Sequence, residues 1–349
     1  MNITQLFTKL VSISSPSGKE GEISVYLQSW LKAQQFEFKI DSVGNIYASN
    51  NKPGIPLLLC AHMDTVQPGE NIKPIIENGI IKSDGKTILG ADNKAALAAI
   101  MTAVEKNNDK NIELLFTVKE ETGGGVEHFP FKWVKSKKAL IFDSAKPLGG
   151  IILRSPYIYN FNVTLTGKAA HASLPDKGLN ALLPAIQALK QIKIGSYDNN
   201  ETTINVGLIK GGTGMNTIPD KVTISGEVRS YDKKLFNKHL ENIKNIFEKE
   251  TKKTKVKLEF ALDGYCAGYT HIKDDVFIKQ IDDVYKNVGL HTKYYEYSGI
   301  SDANVLVENG IKAVNLTDGT ENAHTTNEKI TVKNLIKLEE VVKNCLIEL

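Results

Sequence analysis

Five short apolar runs in this chain each lead toward an acidic residue or a histidine, and that pattern limits what the chain can fold into. Leu57-Leu58-Leu59-Cys60-Ala61 runs into His62-Met63-Asp64, and Thr87-Ile88-Leu89-Gly90-Ala91 runs into Asp92-Asn93-Lys94. Leu114-Leu115-Phe116-Thr117-Val118 leads to Glu120-Glu121, Ala139-Leu140-Ile141-Phe142 to Asp143, and Ala313-Val314-Asn315-Leu316 precedes His324. Most of these runs read as buried strands. In an open α/β sheet, ligands bind at the carboxyl ends of the strands. Two imidazoles and three or more carboxylates gathered there would need a metal, because unpaired buried carboxylates are too costly.

The alternation of patterns predicts how the ends are gathered. From Gly18 to about Lys146 helical and strand patterns take turns: Glu20 to Ala33 carries Ile23, Tyr26, Leu27, Trp30 and Leu31 at helical spacing, and Asn93 to Val104 is Ala-rich and helical. This predicts an α/β domain with a mixed, mostly parallel sheet and helices on both faces. After Pro156 the character changes. Strands at Tyr159–Thr166, Thr203–Ile209, Lys221–Arg229 and Lys255–Leu262, with helices at Asn180–Ile192 and Lys234–Lys249, give a β-α-β-β-α-β order. That order matches a ferredoxin-like α+β sandwich. Helix-strand alternation then resumes, with helices expected over Asp275–Val288, Asp302–Asn309 and Ile330–Leu349, and extended segments at Lys293–Tyr297 and Lys312–Leu316. The 349 residues exceed one ordinary core. The expected organisation is a discontinuous first domain, 1–155 and 265–349, with residues 156–264 inserted as a lid hinged near Pro156 and Gly264.

Composition excludes several classes. A hydrophobic fraction of 41% and a charged fraction of 24% are those of a soluble globular protein. No apolar run approaches the roughly 20 residues of a membrane span. Met1-Asn2-Ile3-Thr4-Gln5-Leu6-Phe7 lacks the basic start and cleavage site of a signal peptide and reads as an amphipathic helix. Three scattered cysteines, Cys60, Cys266 and Cys345, argue against a disulfide framework or a thiolate zinc site and suit the cytoplasm. The net charge of +3 gives no support to nucleic-acid binding, and the lysine-dense stretch Lys252–Lys257 reads as a solvated helix face.

Taken singly, each chemical motif is weak. A His62-x-Asp64 triplet more often caps a strand than binds a metal, and Glu120-Glu121 before Thr122-Gly123-Gly124-Gly125, standing alone, reads first as ordinary loop acidity. Taken together they change meaning. A ligating histidine usually donates its other ring N–H to a carboxylate, a duty open to Asp64. Adjacent side chains on extended backbone point apart, so one of Glu120 and Glu121 can bind metal while the other faces substrate. Asp92, Glu121 and Asp143 bring three negative charges, which two divalent ions and one hydroxide leave near neutral. Oxygen and imidazole donors without thiolate suit zinc, with cobalt or manganese as alternatives.

These stretches, namely Ala61-His62-Met63-Asp64-Thr65-Val66, Leu89-Gly90-Ala91-Asp92-Asn93-Lys94-Ala95, Phe116-Thr117-Val118-Lys119-Glu120-Glu121-Thr122-Gly123 and Phe142-Asp143, resemble the peptidase-T-like branch of the co-catalytic zinc metallopeptidases. That family also includes glutamate carboxypeptidases, succinyl-diaminopimelate desuccinylase and aminoacylase. The resemblance covers the whole chain and implies a zinc-exopeptidase-type fold with two divalent ions per chain. It implies that Asp92 bridges the ions, that Glu121 and His324 complete one site, and that His62 and Asp143 complete the other. Asp64 would orient His62, and Glu120 would be the general base. Many relatives carry a second aspartate where this chain has Asn93, a departure expected to cost little.

In the inserted segment, Gly167–Pro175 resembles the family's Gly-x-x-x-His-x-Ser-x-Pro stretch. There the histidine, here His171, helps hold the developing oxyanion, in some members across a dimer. Asn216 and Arg229 resemble substrate-binding positions, Arg229 for a substrate carboxylate, and Gly299, Ser301 and Asp302 resemble a substrate-side loop. The function implied is an exopeptidase acting on short peptides, a tripeptide aminopeptidase first, with no nucleic-acid or membrane partner and a homodimer formed through the lid. A deacylase of N-acyl amino acids shares the same chemistry, and a non-catalytic metal-binding protein is the remote alternative.

Overall fold

A computed structural model of the chain describes residues 1–349. It divides into two compact units, Met1–Leu153 with His271–Tyr297 and Ser301–Leu349, and Arg154–Thr270 with Ser298–Ile300. No helix is long and apolar enough to cross a membrane.

The first unit is built on a sheet whose strands lie in the order Glu37–Ile40, Ile46–Ser49, Ile112–Thr117, Leu57–His62, Lys138–Phe142, Lys312–Leu316 and Gly150–Ser155. The four central strands, Ile112–Thr117 to Lys312–Leu316, run parallel, and the flanking ones are antiparallel. Leu57–His62 and Ile112–Thr117 are buried at every position, as the central strands of a covered parallel sheet must be, which is why they read as unbroken apolar runs. Alternate residues serve the two faces. Leu57, Leu59, Leu114, Phe116 and Leu140 join one core with the helices Ile3–Ser12, Gly21–Ala33, Ala91–Lys106, Val276–Asn287 and Val332–Glu348. On the other face the helix Asp302–Glu308 packs on Lys138–Phe142 and Lys312–Leu316. The sheet is therefore mixed, parallel at its centre and covered on both sides, as the sequence pattern predicts.

Ala91–Lys106 lies deepest. Its residues from Asn93 to Val104 are all buried, so the helix is covered all round, and its small alanines let it sit close to the sheet and to Val332–Glu348. Two features depart from the expected pattern. Thr87–Gly90 forms no strand, although it is as apolar as its neighbours. The hairpin Ile75–Glu77 and Ile80–Lys82, with Lys329–Thr331, forms a separate three-stranded sheet that periodicity did not reveal.

The second unit is an antiparallel sheet in the order Gly195–Tyr197, Thr202–Gly211, Lys221–Ser230, Tyr157–Thr166, Lys257–Cys266. The helices Leu182–Leu189 and Lys233–Lys252 share its core with Phe161, Val163, Leu165, Val222, Ile224 and Val228. This is the ferredoxin-like succession with one short extra edge strand.

Because Leu97 is fully enclosed in the first core, Leu97→Ala should destabilise the protein by about 2–5 kcal/mol. A urea titration of metal-free protein should show the lowered midpoint; an unchanged midpoint would remove this helix from the core.

Candidate metal centre

The parallel strands align their carboxyl ends. His62 closes its strand opposite Thr117, and Leu316 lies opposite Phe142. Asp143 follows Phe142 directly, and its backbone N–H is held by Leu316 O at 3.1 Å and by Asn315 Oδ1 at 3.0 Å.

Glu120 and Glu121 sit on a short helical turn just past Ile112–Thr117. Asn45 closes this loop, accepting from Val118 N at 3.0 Å and donating to Gly125 O at 3.0 Å. The closure is so tight that a Cβ on Gly125 would meet Val118 O at 1.7 Å, so only glycine fits. The Asp64 carboxylate pins the turn from below. It accepts from Glu120 N at 3.0 Å, Glu121 N at 3.2 Å and Ser17 Oγ at 2.6 Å. Asp64 also meets His62 twice: Nδ1 lies 3.0 Å from the Asp64 carbonyl oxygen and 3.4 Å from Oδ1. The orienting contact on His62 is thus shared between backbone and side chain, while the carboxylate also fixes the glutamate turn.

Asp92 lies in a non-helical kink at the start of the buried helix. Its N–H and those of Leu89 and Gly90 point to one carboxylate, that of Glu328, at 3.0, 2.8 and 2.7 Å. The apolar Thr87–Gly90 run is therefore a buried coil whose polar groups are satisfied by a side chain rather than by a neighbouring strand.

These elements bring His62, Asp92, Glu120, Glu121, Asp143 and His324 together. His62 Nε2 lies 3.1 Å from Asp92 Oδ1 and 3.7 Å from Asp143 Oδ1. His324 Nε2 lies 3.2 Å from Asp92 Oδ2 and 3.0 Å from Glu121 Oε1. Ligand atoms of His62, Asp92 and Glu121 fall within 4.8 Å of one another, and so do those of His62, Glu120 and Asp143.

The electrostatics shows a centre short of positive charge. Its carboxylates pair only with histidines, and no lysine or arginine forms an ion pair with them. Burial works against an imidazolium at His62, yet bonds to Asp143, Asp64 and Asp92 hold its pKa well above the ordinary value. Contacts with Asp92 and Glu121 push His324 up to about 10. Burial, reinforced by Asp92 and opposed by His62, raises Asp143 to about 7. Burial and the nearby Asp143 also raise Glu120. Burial disfavours the Asp92 carboxylate, but its two histidines outweigh that and hold it below the usual range. Glu121 Oε1 is buried and, despite its closeness to His324, receives no well-directed hydrogen bond. With no lysine or arginine among its partners, such a set favours protons or cations, and its donor atoms fit divalent ions.

Asn93 is fully buried and donates through Nδ2 to Phe142 O at 2.6 Å, with Asp143 Oδ1 at 3.5 Å. Asp302 does not line a substrate-side surface. It is 3% exposed, starts a helix capped by Ser301, and accepts from Thr117 Oγ1 at 2.5 Å. In the second unit, His171 and Asn216 are exposed on adjoining loops: the N–H of Ala172 donates to Asn216 O at 2.8 Å, and His171 forms an isolated bridge with Thr217. Arg229 forks Glu227 at 2.8 and 3.0 Å and donates to Ser298 O at 2.8 Å.

Sequence reasoning missed Ser17, Asn45, Glu328 and Tyr297. The Tyr297 hydroxyl is held neutral by burial and by the charges of Asp143, Asp92, Glu120 and Glu121. None of the four lies at the end of an apolar run, so the signal that exposed the rest was absent for them.

A parallel-sheet unit with histidines and carboxylates gathered at its strand ends, interrupted by a β-α-β-β-α-β unit, defines a class of two-unit metallohydrolases. Comparison with known proteins narrows it. Residues 157–255 match the peptidase dimerisation domain of the M20 family. The uncharacterized protein YqjE of Bacillus subtilis is 32% identical over 353 residues, 96% of this chain and 95% of that protein. The crystal structure of aminopeptidase PepT from Bacillus cereus superposes with a TM-score of 0.92 at 32% identity, covering 99% of this chain and 97% of that one. A tripeptidase from Staphylococcus aureus gives 0.91 at 29% identity, covering 99% and 96%. The chain belongs to the M20 family of peptide hydrolases, in its peptidase-T-like branch.

The raised His324 pKa has a signed consequence. Without metal, the charged His324 stabilises the fold fully below its ordinary value of 6.5, and the effect is lost as pH rises through about 10. Thermal melts of chelated protein should show the stability gap between wild type and His324→Gln widest below neutrality and closing by pH 10. A gap that widens with pH would contradict this electrostatic assignment.

Proposed function

We propose that the protein is a metal-dependent aminopeptidase acting on short peptides, tripeptides first, with two divalent ions at its centre. The observation that carries the reading is the division of Asp92: Oδ1 faces His62 and Oδ2 faces His324, at 3.1 and 3.2 Å. A carboxylate that presents one oxygen to each of two imidazoles suits a bridging ligand. His62 and Asp143 then complete one seat, and Glu121 and His324 the other. Zinc is the expected metal, with cobalt or manganese as substitutes, since the donors are oxygen and imidazole. The nearest thiol, Cys60, faces Asp302 at 3.6 Å instead.

Bound divalent ions supply Lewis acidity toward the scissile carbonyl and make water acidic enough to lose a proton near neutrality. Glu120 takes that proton on its carboxylate and returns it to the departing amine. Asp64 keeps this carboxylate in place through the N–H of Glu120 and keeps the His62 ring oriented. His171 supports the oxyanion, and Asn216 and Arg229 contact the peptide, Arg229 by exchanging Glu227 for a substrate carboxylate. The likeness to an aminopeptidase and a tripeptidase over nearly the full length supports the choice of substrate. The match of residues 157–255 to a dimerisation domain supports a homodimer formed through the inserted unit. Three free, buried cysteines suit a cytoplasmic setting.

Glu120→Gln should lower kcat by roughly 10²–10⁴ while metal analysis still finds the wild-type ion content; loss of ions together with activity would mean that Glu120 and Glu121 have exchanged roles. Chelation should abolish turnover, and zinc or cobalt should restore it. On a panel of tripeptides, dipeptides and N-acetyl amino acids, free-amine tripeptides should give the highest kcat/KM. A preference for the acetylated compounds would replace this reading with a deacylase.

A further inference from the structure

The turn that presents Asp92 is held from an unexpected direction. Buried backbone N–H groups need partners, which a nearby side chain often supplies. Here Asp92 and Asn93 are themselves non-helical, and Gly90 beside them, with φ of +72°, has no side chain to offer. Glu328 does the work across 236 residues of sequence, its Oε1 accepting from Asp92 N and its Oε2 from Leu89 N and Gly90 N. The carboxylate is 1% exposed. Burying a charge for a task that a local serine or aspartate performs elsewhere is expensive, so its origin in the chain matters.

Glu328 stands on the return limb of the loop that carries His324. Glu321 and Lys329 pair through two backbone hydrogen bonds of 2.9 and 3.0 Å at the base of this loop, and Glu328 N donates to Thr325 O at 3.0 Å. Within it His324 occupies the left-handed region at φ +66°. One carboxylate therefore joins the backbone of Asp92 to the loop of His324, the two side chains that meet at 3.2 Å.

We propose that Glu328 is a positioning residue that sets the spacing between Asp92 and His324, and thereby the affinity of the ion seat these two share with Glu121. The inference rests on the two-ion reading above. Its signature is selectivity: the seat of His62 and Asp143 is built on the ends of Leu57–His62 and Lys138–Phe142, neither of which Glu328 touches, so it depends on Glu328 only through Asp92.

Zinc titration against a competing chelator, on wild type, Glu328→Gln and Glu328→Asp, tests this, alongside melting temperatures of the metal-free proteins. Wild type should bind two ions. Glu328→Gln should hold one nearly as tightly and the other roughly 10–100-fold more weakly, the range found when residues behind metal ligands are replaced. Glu328→Asp, which keeps the charge, should fall between. Activity of Glu328→Gln at limiting zinc should be low and should recover in excess zinc with KM little changed, a rescue that a purely structural defect does not permit. Two ions bound as tightly as in wild type, equal weakening of both, or failure of both variants to fold would each overturn the proposal. Fewer than two ions on wild type would instead overturn the two-ion reading itself.

Discussion

The centre is organised by an excess of buried negative charge. Asp92, Glu120, Glu121 and Asp143 converge on two imidazoles with no lysine or arginine to balance them. In a low-dielectric cleft, repulsion among these carboxylates opposes the fold unless cations answer it. Protons answer it in part: burial, with neighbouring carboxylates, raises Glu120 and Asp143, and hydrogen bonds to the carboxylates raise His62 and His324. Divalent ions held by His62, Asp92, Glu121, Asp143 and His324 would answer it more fully. The raised pKa values and the metal fit are two expressions of one electrostatic demand.

The surrounding fold is arranged to withstand that demand. Asp64 serves His62 and the Glu120–Glu121 turn at once. Asn45 closes the loop that carries the glutamates, and Glu328 joins the Asp92 turn to the His324 loop. Apart from the His62–Asp64 contact, each of these crosses between segments far apart in sequence, so the candidate ligands are fixed mainly by tertiary hydrogen bonds and not by local propensity. Such supports hold side chains in a productive geometry even where the ligands themselves repel.

That division also explains what could be read from the amino acids alone. Central parallel strands must be apolar on both faces, so Leu57–His62 and Ile112–Thr117 announced themselves, and the residues at their ends were legible as a set. The alternating strands and amphipathic helices of the inserted unit were legible for the same reason, each having one buried and one exposed side. The Thr87–Gly90 run was misleading because burial, and not extended geometry, is what its composition reports. Glu328 and Asn45 were invisible because a carboxylate or amide that satisfies distant backbone looks, in sequence, like any polar residue in a loop. Asp302, a polar residue next to a loop in sequence, is buried and bonded to Thr117.

Asn93 shows how closely charge and hydrogen count are tied here. Its amide gives a proton to the carbonyl of Phe142, the residue before Asp143, and its Oδ1 is buried without a donor. The position therefore asks for a donor. Asparagine supplies one at any pH, whereas an ionised aspartate has none to give and meets the same carbonyl only as the neutral acid. Being neutral, Asn93 adds no further negative charge to a pocket that already holds more than its own side chains can balance, and it sits beside Asp143, the carboxylate that burial and Asp92 raise to about 7.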